Sequence, residues 1–384
     1  MPRPRILLSI NAAWNIYNFR SGLIRALLEA GFEVITCAPE DGYEAKLEAL
    51  GSRFVPLPMD NSGTNPLRDG ALFLRYLRIL ARERPDVYLG YTIKPNVYGS
   101  LACHRLGIPV INNVSGLGTA FIRNNWLTRW VKALYRQALR RSATVFFQNE
   151  DDRSLFLDAE LVRATQTQLL PGSGIDLERF QPQSKEPNPS PVFLLVARLL
   201  WDKGVGEFVE AARLVREQHP SARFQLLGFL GAGNRTAVPR ESVEQWVDEG
   251  LVEYLGDTDD VRPFIAAADC VVLPSYREGT PRSLLEAAAM AKPLVATDVP
   301  GCRQIVDDGK NGYLCEVRNA DDLAAKLERF IGLPPAEKAR MGENGRLKME
   351  NEFDEQIVIR RYLAAIRGIL DARLRAAIDS PADG

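Results

Sequence analysis

Two glutamates lie eight residues apart in the stretch PSYREGTPRSLLE, residues 274–286. Glu278 lies in a Gly-Thr-Pro segment, and Glu286 lies in the helix predicted to follow it. Paired carboxylates at such a spacing suggest a metal site or an acid/base couple. A strand predicted at 270–274 would place the loop at the carboxyl end of a parallel sheet, where such sheets bind ligands. Both glutamates are therefore candidates for contact with a ligand.

The helix that carries Glu286 is predicted to be buried. Pro281 suits its first position and Thr280 its N-cap, so its free amides would face the same ligand. Apolar residues surround the glutamate on all sides of this helix: Leu284, Leu285, Ala287, Ala288 and Ala289. A solvated helix carboxylate needs no partner, whereas a buried one does. The pattern favours the buried arrangement.

Two cations follow another predicted strand in the stretch VARLLWDKG, residues 196–204. This strand delivers Arg198 and then Lys203 into a loop that opens the next helix. Two such cations can straddle a diphosphate, one as a planar fork and one as a point charge. An ordinary salt bridge at a helix entry is the alternative interpretation.

Other polar residues carry weaker signals. Asp257 and Asp259 have the acid-x-acid spacing of some divalent-metal sites, but helix capping explains them more simply. The Gly-rich stretch GFLGAGN, residues 228–234, lacks the GxGxxG spacing of a dinucleotide site. The two histidines, His104 and His219, lie in a helix pattern and in a helix-to-strand turn, so a Ser-His-Asp hydrolase or a histidine-ligated metal is not expected.

The composition indicates two domains in a reducing compartment. A chain of 384 residues exceeds the size at which one core keeps growing. The cysteines are scattered and odd in number, without a CxxC: Cys37, Cys103, Cys270, Cys302 and Cys315. The apolar run at 6–10 is too short for a signal peptide, and no apolar stretch approaches the length of a membrane span. We expect a cytoplasmic protein.

Positive charge is concentrated between residues 61 and 141, where thirteen Lys or Arg face three acids, a local charge of +10 in a chain of net charge −1. Within it, residues 121–141 contain six cations, no acid and four aromatic residues. A basic, aromatic-rich helix suits an anionic bilayer surface. A solvated face balanced by acids elsewhere is the alternative. Nucleic acid is not expected as a partner, because no recognised binding motif accompanies the charge.

Short β-branched runs alternate with helical patterns along most of the chain. Strands are predicted at 6–10, 33–37, 53–56, 86–90, 110–113, 144–147, 191–197, 224–228, 253–255, 270–274, 294–297 and 312–315. Helices are predicted at 20–30, 66–82, 95–106, 126–140, 204–216 and 354–374. A Pro-, Ser- and Gly-rich segment at 171–191 indicates a hinge. The pattern predicts an α/β protein with two doubly wound, Rossmann-like domains facing a cleft.

Three stretches resemble the family 4 glycosyltransferases, two-domain enzymes of the GT-B fold: RLLWDKG, PSYREGTPRSLLEAAAMAKPLVATDVPG and DGKNGYLC. NPLRDGALFLRYLRIL and VSGLGTAFI further resemble bacterial transferases that act on polyprenyl-diphosphate-linked glycans. Enzymes of that type transfer N-acetylgalactosamine from its UDP-linked donor to undecaprenyl-diphosphate-linked N,N'-diacetylbacillosamine. The resemblance implies an acceptor- and membrane-facing domain at 1–175, a nucleotide-sugar-binding domain at 176–353, and a C-terminal helix, about 354–384, that returns to the first domain.

The resemblance also implies roles for the paired residues. Arg198 and Lys203 would hold the diphosphate and stabilise it as it departs. Glu278 would accept hydrogen bonds from the donor sugar, and Glu286 from the ribose hydroxyls. Further donor contacts would come from Gly279, Thr280, Tyr254 and Gly256, the last two bordering the uracil. The two carboxylates would thus grip the donor rather than form an acid/base couple, and neither metal nor cofactor would be required.

The acceptor side departs from the family pattern. Many relatives carry a histidine in the loop of the first domain that meets the donor sugar, whereas this chain reads NNVSGLGTAFI, residues 112–122. Ser115, Gly116 and Gly118 would line the acceptor side there instead. Lys94 follows a predicted strand and would face acceptor phosphate. Asn18 and Arg20, at a predicted helix start, would bind the acceptor diphosphate or simply cap the helix.

These patterns together lead to one hypothesis for the activity. The chain would be a retaining, metal-independent glycosyltransferase that moves a sugar, an N-acetylhexosamine, from a UDP-sugar to a polyprenyl-diphosphate-linked saccharide. It would work peripherally at the inner face of the cytoplasmic membrane. A transferase for a soluble small-molecule acceptor and a sugar-nucleotide epimerase of the same fold are the alternatives, and a non-catalytic membrane scaffold leaves the paired motifs unexplained.

Overall fold

The computed structural model describes residues 3–60, 65–115, 126–183, 190–231 and 236–379, with the backbone alone at 126–131 and 376–379. It divides into two compact units. The first comprises Met1–Ser173 and Gln356–Gly384, and the second comprises Gly174–Glu355. The boundaries expected from the sequence, after residues 175 and 353, lie two residues from these.

In its described residues, the first unit contains seven strands: β1 (Arg5–Ser9), β2 (Glu33–Ala38), β3 (Arg53–Pro56), β4 (Val87–Tyr91), β5 (Val110–Val114), β6 (Thr144–Phe147) and β7 (Thr167–Leu169). All neighbours are parallel, in the order β3-β2-β1-β4-β5-β6-β7. The chain direction across the sheet reverses between β1 and β4, which makes this pair the topological switch point.

The described residues before the second unit form six helices around this sheet: α1 (Ala13–Glu29), α2 (Glu44–Ala49), α3 (Pro66–Glu83), α4 (Ser100–Leu106), α5 (Trp126–Leu139) and α6 (Glu150–Asp158). A π-helical turn, Pro95–Gly99, precedes α4. The prediction that the first helix begins at residue 20 was wrong. Helix α1 begins at Ala13 because Ala13 and Ile16 continue its buried stripe, which the polar residues around Asn18 concealed.

The described part of the second unit contains six strands: β8 (Val192–Val196), β9 (Arg223–Leu227), β10 (Glu253–Tyr254), β11 (Cys270–Leu273), β12 (Leu294–Thr297) and β13 (Gly312–Cys315). They are parallel in the order β10-β9-β8-β11-β12-β13, so the pair β8 and β11 forms the switch point. A short 3-10 turn, Trp201–Lys203, follows β8. The helices are α7 (Val205–Gln218), α8 (Arg240–Asp248), α9 (Arg262–Ala267), α10 (Arg282–Ala289), α11 (Pro300–Ile305), α12 (Ala320–Ile331) and α13 (Pro335–Lys348).

The last helix, α14 (Glu355–Asp379), follows a π-helical turn at Met349–Phe353. Four of its side chains, Val358, Ile359, Tyr362 and Ile366, are buried in the core that covers one face of the first sheet. This confirms the expected return of the C-terminal helix to the first unit. None of the helices described is long and apolar enough to cross a membrane.

Every predicted strand is present, with ends within one residue of those expected. Strands buried on both faces are continuous apolar runs, which makes them easy to recognise. One observed strand, β7, was not predicted. It is a three-residue edge strand of sequence TQL, too short and too polar to carry the same signal. The prediction of two doubly wound α/β units is confirmed.

Candidate active site

The two motif loops of the second unit follow neighbouring strands at its switch point. Strand β8 ends at Val196 and leads to Arg198 and the 3-10 turn, while β11 ends at Leu273 and leads to the loop that contains Glu278. Because β8 and β11 pair in parallel, their carboxyl ends lie side by side. In doubly wound sheets this is the position at which ligands bind.

An ion pair joins the two loops. The Lys203 ammonium contacts the Oε1 atom of Glu278, and the two side chains are 22% and 11% exposed. The hydroxyl of Ser275, which is fully buried, donates a 2.7 Å hydrogen bond to the same oxygen. The sequence did not single out Ser275. It had a positional signal, since it comes directly after the strand end and three residues before Glu278.

Close backbone packing holds both loops in place. Gly204 has φ of +73°, and a Cβ atom there would lie 2.1 Å from the Pro274 carbonyl oxygen. The amide of Tyr276 donates a 3.0 Å hydrogen bond to the Asp202 carbonyl. On the other side, a Cβ atom on Gly301 would lie 2.1 Å from the carbonyl oxygen of Gly279. The loops that present Lys203 and Glu278 are thus fixed through their main chains.

Arg198 differs from Lys203 in its surroundings. It is exposed, and its guanidinium makes no hydrogen bond or ion pair with any residue that the structure describes. One of the two predicted diphosphate ligands is therefore free to meet an anion, while the other is engaged by a carboxylate.

Glu286 has the partner that its apolar surroundings require. Its Oε1 atom accepts a 2.9 Å hydrogen bond from Nε of Arg282, one helical turn earlier, and its side chain is 13% exposed. Burial raises the pKa of the Glu286 carboxyl, and the Arg282 guanidinium opposes that rise. The charge of Asp260 raises the same pKa and that of Arg179 lowers it.

The expected N-cap role of Thr280 was wrong. Helix α10 begins at Arg282, its N-cap residue is Pro281 in an extended conformation, and no side chain caps it. The Thr280 hydroxyl oxygen is instead buried, without a hydrogen-bond partner among the described residues. A buried hydroxyl in this position can bond to a ligand at the cost of little rearrangement.

Tyr254 ends β10, the edge strand of the same sheet, and Gly256 follows it by two residues. The Tyr254 hydroxyl donates a 3.1 Å hydrogen bond to the carbonyl of Gly228, whose amide donates 2.8 Å to the carbonyl of Gly256. Burial raises the pKa of Tyr254. Gly228 has no room for a side chain, because its Cβ atom would lie 1.8 Å from the Ala197 carbonyl oxygen. These contacts tie the turn predicted to border the base to the loop after β9.

In the first unit, the candidate acceptor residues lie in three different environments. The Asn18 side-chain amide donates to the Trp14 carbonyl within α1, at 3.0 Å. Arg20 is 6% exposed and its guanidinium lies 4.6 Å from the centre of the Tyr91 ring. Because both residues follow the first turn of α1, the free helix amides expected beside them are absent there. Ser115 is exposed, and Gly116 and Gly118 lie outside the described residues.

Lys94 lies beside a pocket of about 520 Å³ after β3 and β4. Its ammonium forms a 2.8 Å ion pair with Asp69 of α3, both side chains being largely buried. The other lining residues are Pro58, Met59, Asp60, Leu67, Arg68, Ala71, Leu72 and Arg75. The pocket therefore combines an apolar wall with three cations, and two of these, Arg68 and Lys94, are paired with the lining carboxylates Asp60 and Asp69.

The surroundings of His104 and of the cysteines are typical of residues that stabilise the fold. The ring of His104 lies 2.7 Å from the Ala138 carbonyl oxygen through Nε2, and burial lowers the pKa of its imidazole. The described residues contain no group of three or more His, Cys, Asp or Glu side chains that could hold a metal ion. The five cysteines are buried and free.

Two doubly wound units, the second with cations and carboxylates at its switch point, define a glycosyltransferase of the GT-B type. Residues 19–172 match the family "Glycosyl transferase 4-like domain", and residues 176–348 match "Glycosyl transferases group 1". The Bacillus subtilis (strain 168) protein EpsD, named a glycosyltransferase, is 32% identical over 365 residues, covering 89% of this chain and 91% of that protein. The chain belongs to this glycosyltransferase family.

Two further proteins are similar over nearly the full length. The N,N'-diacetylbacillosaminyl-diphospho-undecaprenol alpha-1,3-N-acetylgalactosaminyltransferase of Campylobacter jejuni is 29% identical over 371 residues, covering 92% of this chain and 96% of that enzyme. The crystal structure of Anabaena HepE (Alr3699) in complex with UDP-glucose superposes with a TM-score of 0.75 at 19% identity, covering 97% of this chain and 99% of that one. The second likeness shows the shared fold.

Proposed function

We propose that this glycosyltransferase moves a sugar, an N-acetylhexosamine, from a UDP-sugar to a polyprenyl-diphosphate-linked saccharide, with retention of configuration and without a metal. The single observation that supports the proposed donor is the arrangement of residues at the switch point of the second unit. There Arg198 and Lys203 lie at the end of β8, and Glu278 lies on the adjacent loop in contact with Lys203. The acceptor class follows the Campylobacter jejuni relative, whose name gives a diphospho-undecaprenol substrate.

The chemistry proposed for these residues is electrostatic. The bond between the anomeric carbon and the diphosphate oxygen breaks, a bond forms from that carbon to an acceptor hydroxyl on the same face, and the hydroxyl proton passes to the departing diphosphate. Arg198 and Lys203 stabilise the negative charge that collects on the diphosphate, each charge-assisted hydrogen bond contributing about 1.5–3 kcal/mol. Because these cations neutralise the leaving group, the proposal requires no divalent ion.

The two carboxylates act as hydrogen-bond acceptors in this proposal. Glu278 is held by a serine hydroxyl and a lysine ammonium, an arrangement that favours accepting bonds from sugar hydroxyls over shuttling a proton. Glu286 accepts hydrogen bonds from the ribose hydroxyls, and the turn at Tyr254 and Gly256 borders the uracil.

We also propose that the basic part of the first unit meets an anionic membrane. Helix α3 exposes Leu67 and Leu74, at 85% and 52%, on the same side as exposed Arg75 and Arg78. Exposed leucines among arginines suit the boundary between lipid headgroups and acyl chains. In the described part of helix α5, Tyr135 is buried and Arg136 donates to carbonyl groups after α6.

A donor screen tests the proposal. UDP-, GDP- and ADP-sugars are offered with undecaprenyl-diphosphate glycans as acceptors, with and without EDTA. We expect turnover of a UDP-N-acetylhexosamine that is insensitive to EDTA and lost in Glu286→Ala, while Glu244→Ala, on an exposed face of α8, is unaffected. Failure of UDP to bind, or strict dependence on a divalent ion, would overturn the proposal, and the latter result would direct attention to Asp257 and Asp259.

The same screen separates the alternatives. Transfer to a soluble acceptor that is independent of liposomes or detergent would favour a small-molecule transferase. Conversion of one UDP-sugar into another without any acceptor would favour an epimerase.

A further inference from the structure

Two side chains that are proposed to hold different parts of the donor contact each other. Lys203 is proposed to hold the diphosphate and Glu278 the sugar, yet the lysine ammonium contacts the glutamate carboxylate. Arg198 is exposed and makes no such contact within the described chain. A donor therefore meets one available cation and one that must first leave a carboxylate.

The exchange needs only a side chain to move. Gly204 and Gly301 pack without a side chain against the carbonyls of Pro274 and Gly279, so the main chains of both loops are held. Thr297 bonds through its hydroxyl to the carbonyl of Ser275, which holds that residue beside the carboxylate. Lysine, with a flexible four-carbon stem, can swing to a phosphate while Glu278 stays in place.

What remains around Glu278 then depends on the ligand. When a UDP-sugar binds, sugar hydroxyls replace the ammonium as donors to the carboxylate. When UDP alone binds, the sugar is absent, and within the described residues only Ser275 still donates to Oε1. A largely buried carboxylate that accepts too few hydrogen bonds raises the free energy of the complex.

We infer, on the basis of the proposed function, that Glu278 and Ser275 make this site discriminate between the UDP-sugar and its own product, UDP. The ion pair between Lys203 and Glu278 opposes binding of the bare diphosphate and is compensated only when a sugar accompanies it. Glu278 is the specificity-determining residue, and Ser275 is a positioning residue that acts through it. UDP consequently leaves after transfer more readily than a complete donor does.

The substitution Glu278→Gln tests this by removing the charge that competes for Lys203. Dissociation constants for UDP and for UDP-N-acetylgalactosamine are measured by calorimetry on the full chain. We expect UDP to bind about tenfold more tightly to the variant, since a charge-assisted bond no longer has to be broken. The affinity for the UDP-sugar increases less, because the sugar hydroxyls lose their charged acceptor. The dissociation constant of UDP divided by that of the UDP-sugar therefore falls.

Ser275→Ala supplies a change in the opposite direction. Without the serine hydroxyl the carboxylate depends more on Lys203, so UDP should bind several-fold more weakly, whereas the UDP-sugar, which brings its own hydroxyls, should lose less. If this buried serine has a purely structural role, Ser275→Ala should weaken the binding of both ligands by the same factor. Arg198→Gln is the matched control, since the arginine would contact the diphosphate common to both ligands and should leave the ratio unchanged.

The outcomes separate this inference from the proposed function. If both ligands bind but Glu278→Gln and Ser275→Ala leave the ratio of dissociation constants unchanged, the discrimination is wrong while the donor site stands. If neither UDP nor the UDP-sugar binds the unaltered chain, the proposed function and this inference are both overturned.

Discussion

At the scale of single residues, the burial of the Glu286 carboxylate affects the stability of the fold. Burial raises its pKa above the ordinary value of 4.5, despite the neighbouring Arg282. A carboxyl group with a raised pKa in the folded state holds its proton longer than in the unfolded chain. Its contribution to stability is therefore present below pH 4.5 and is lost as the pH rises through the raised pKa.

Replacing Glu286 by glutamine should remove this cost. We expect Glu286→Gln to raise the free energy of unfolding at pH 7, with the gain shrinking as the pH falls toward 4, in urea titrations across that range. UDP affinity should fall about ten- to a hundredfold, because a charged acceptor for the ribose is lost. A variant less stable at pH 7 than at pH 4, relative to the parent chain, would show that the Arg282 ion pair outweighs burial.

Gly301, the last residue of the stretch that begins at Pro274, shapes the loop that contains Glu278. A Cβ atom there would lie 2.1 Å from the Gly279 carbonyl oxygen and 2.7 Å from that of Glu278. We expect Gly301→Ala to displace this loop and to lower kcat/KM for the donor at least tenfold, since small displacements at a reacting site are expensive. Gly332→Ala is the control, because its Cβ would make only ordinary contacts at 3.6 Å. Equal activity in both variants would refute the role of Gly301.

At the scale of elements, α3 is where the proposed membrane contact can be tested. Its outer face carries Leu74 beside Arg75 and Arg78, all exposed. We expect the triple change Leu74→Ser, Arg75→Glu and Arg78→Glu to reduce partitioning onto vesicles rich in phosphatidylglycerol by at least tenfold, because each basic residue near such a surface contributes about 1 kcal/mol. Sedimentation with vesicles at fixed ionic strength measures this.

A matched control lies on α8 of the second unit, which also exposes an apolar and a basic residue, Val247 and Arg240. Val247→Ser with Arg240→Glu should leave partitioning as it is. If both sets of changes act alike, general electrostatic attraction and not the α3 face explains binding to vesicles.

At the scale of the whole molecule, the chain closes its first unit with its last helix. Tyr362 of α14 packs 4.8 Å from the Phe146 ring, and its hydroxyl accepts a 2.9 Å hydrogen bond from Asn113, 249 residues away in sequence. It is 1% exposed. The first unit is thus assembled from both ends of the chain, and its core is incomplete until α14 is in place.

Truncating this side chain should destabilise the first unit specifically. We expect Tyr362→Ala to lower the free energy of unfolding by about 3–5 kcal/mol, as for other large buried aromatic residues. UDP binding, which the proposed function assigns to the second unit, should be retained below the unfolding transition. Arg367→Ala, at an exposed position of the same helix, is the control. Loss of UDP binding without loss of stability would contradict this division of roles.

Local sequence determined much of this protein. The strands are recognisable because both faces of a parallel sheet are buried, which leaves apolar runs that are independent of distant contacts. The order of strand and loop then placed Arg198, Lys203 and Glu278 at carboxyl ends, and apolar neighbours indicated that Glu286 was buried and needed a partner. These features depend on residues that are close in the chain.

Only the tertiary structure decided which groups meet. The pairing of Lys203 with Glu278, the serine behind them and the glycine at position 301 depend on the adjacency of β8, β11 and β12, which are far apart in sequence. Thr280 does not cap the helix, because α10 begins at Arg282, one residue later than expected. The edge strand β7 and the return of Tyr362 are stabilised by partners that no local pattern names. Periodicity reports burial, but hydrogen bonds and ion pairs require the positions of both partners in space.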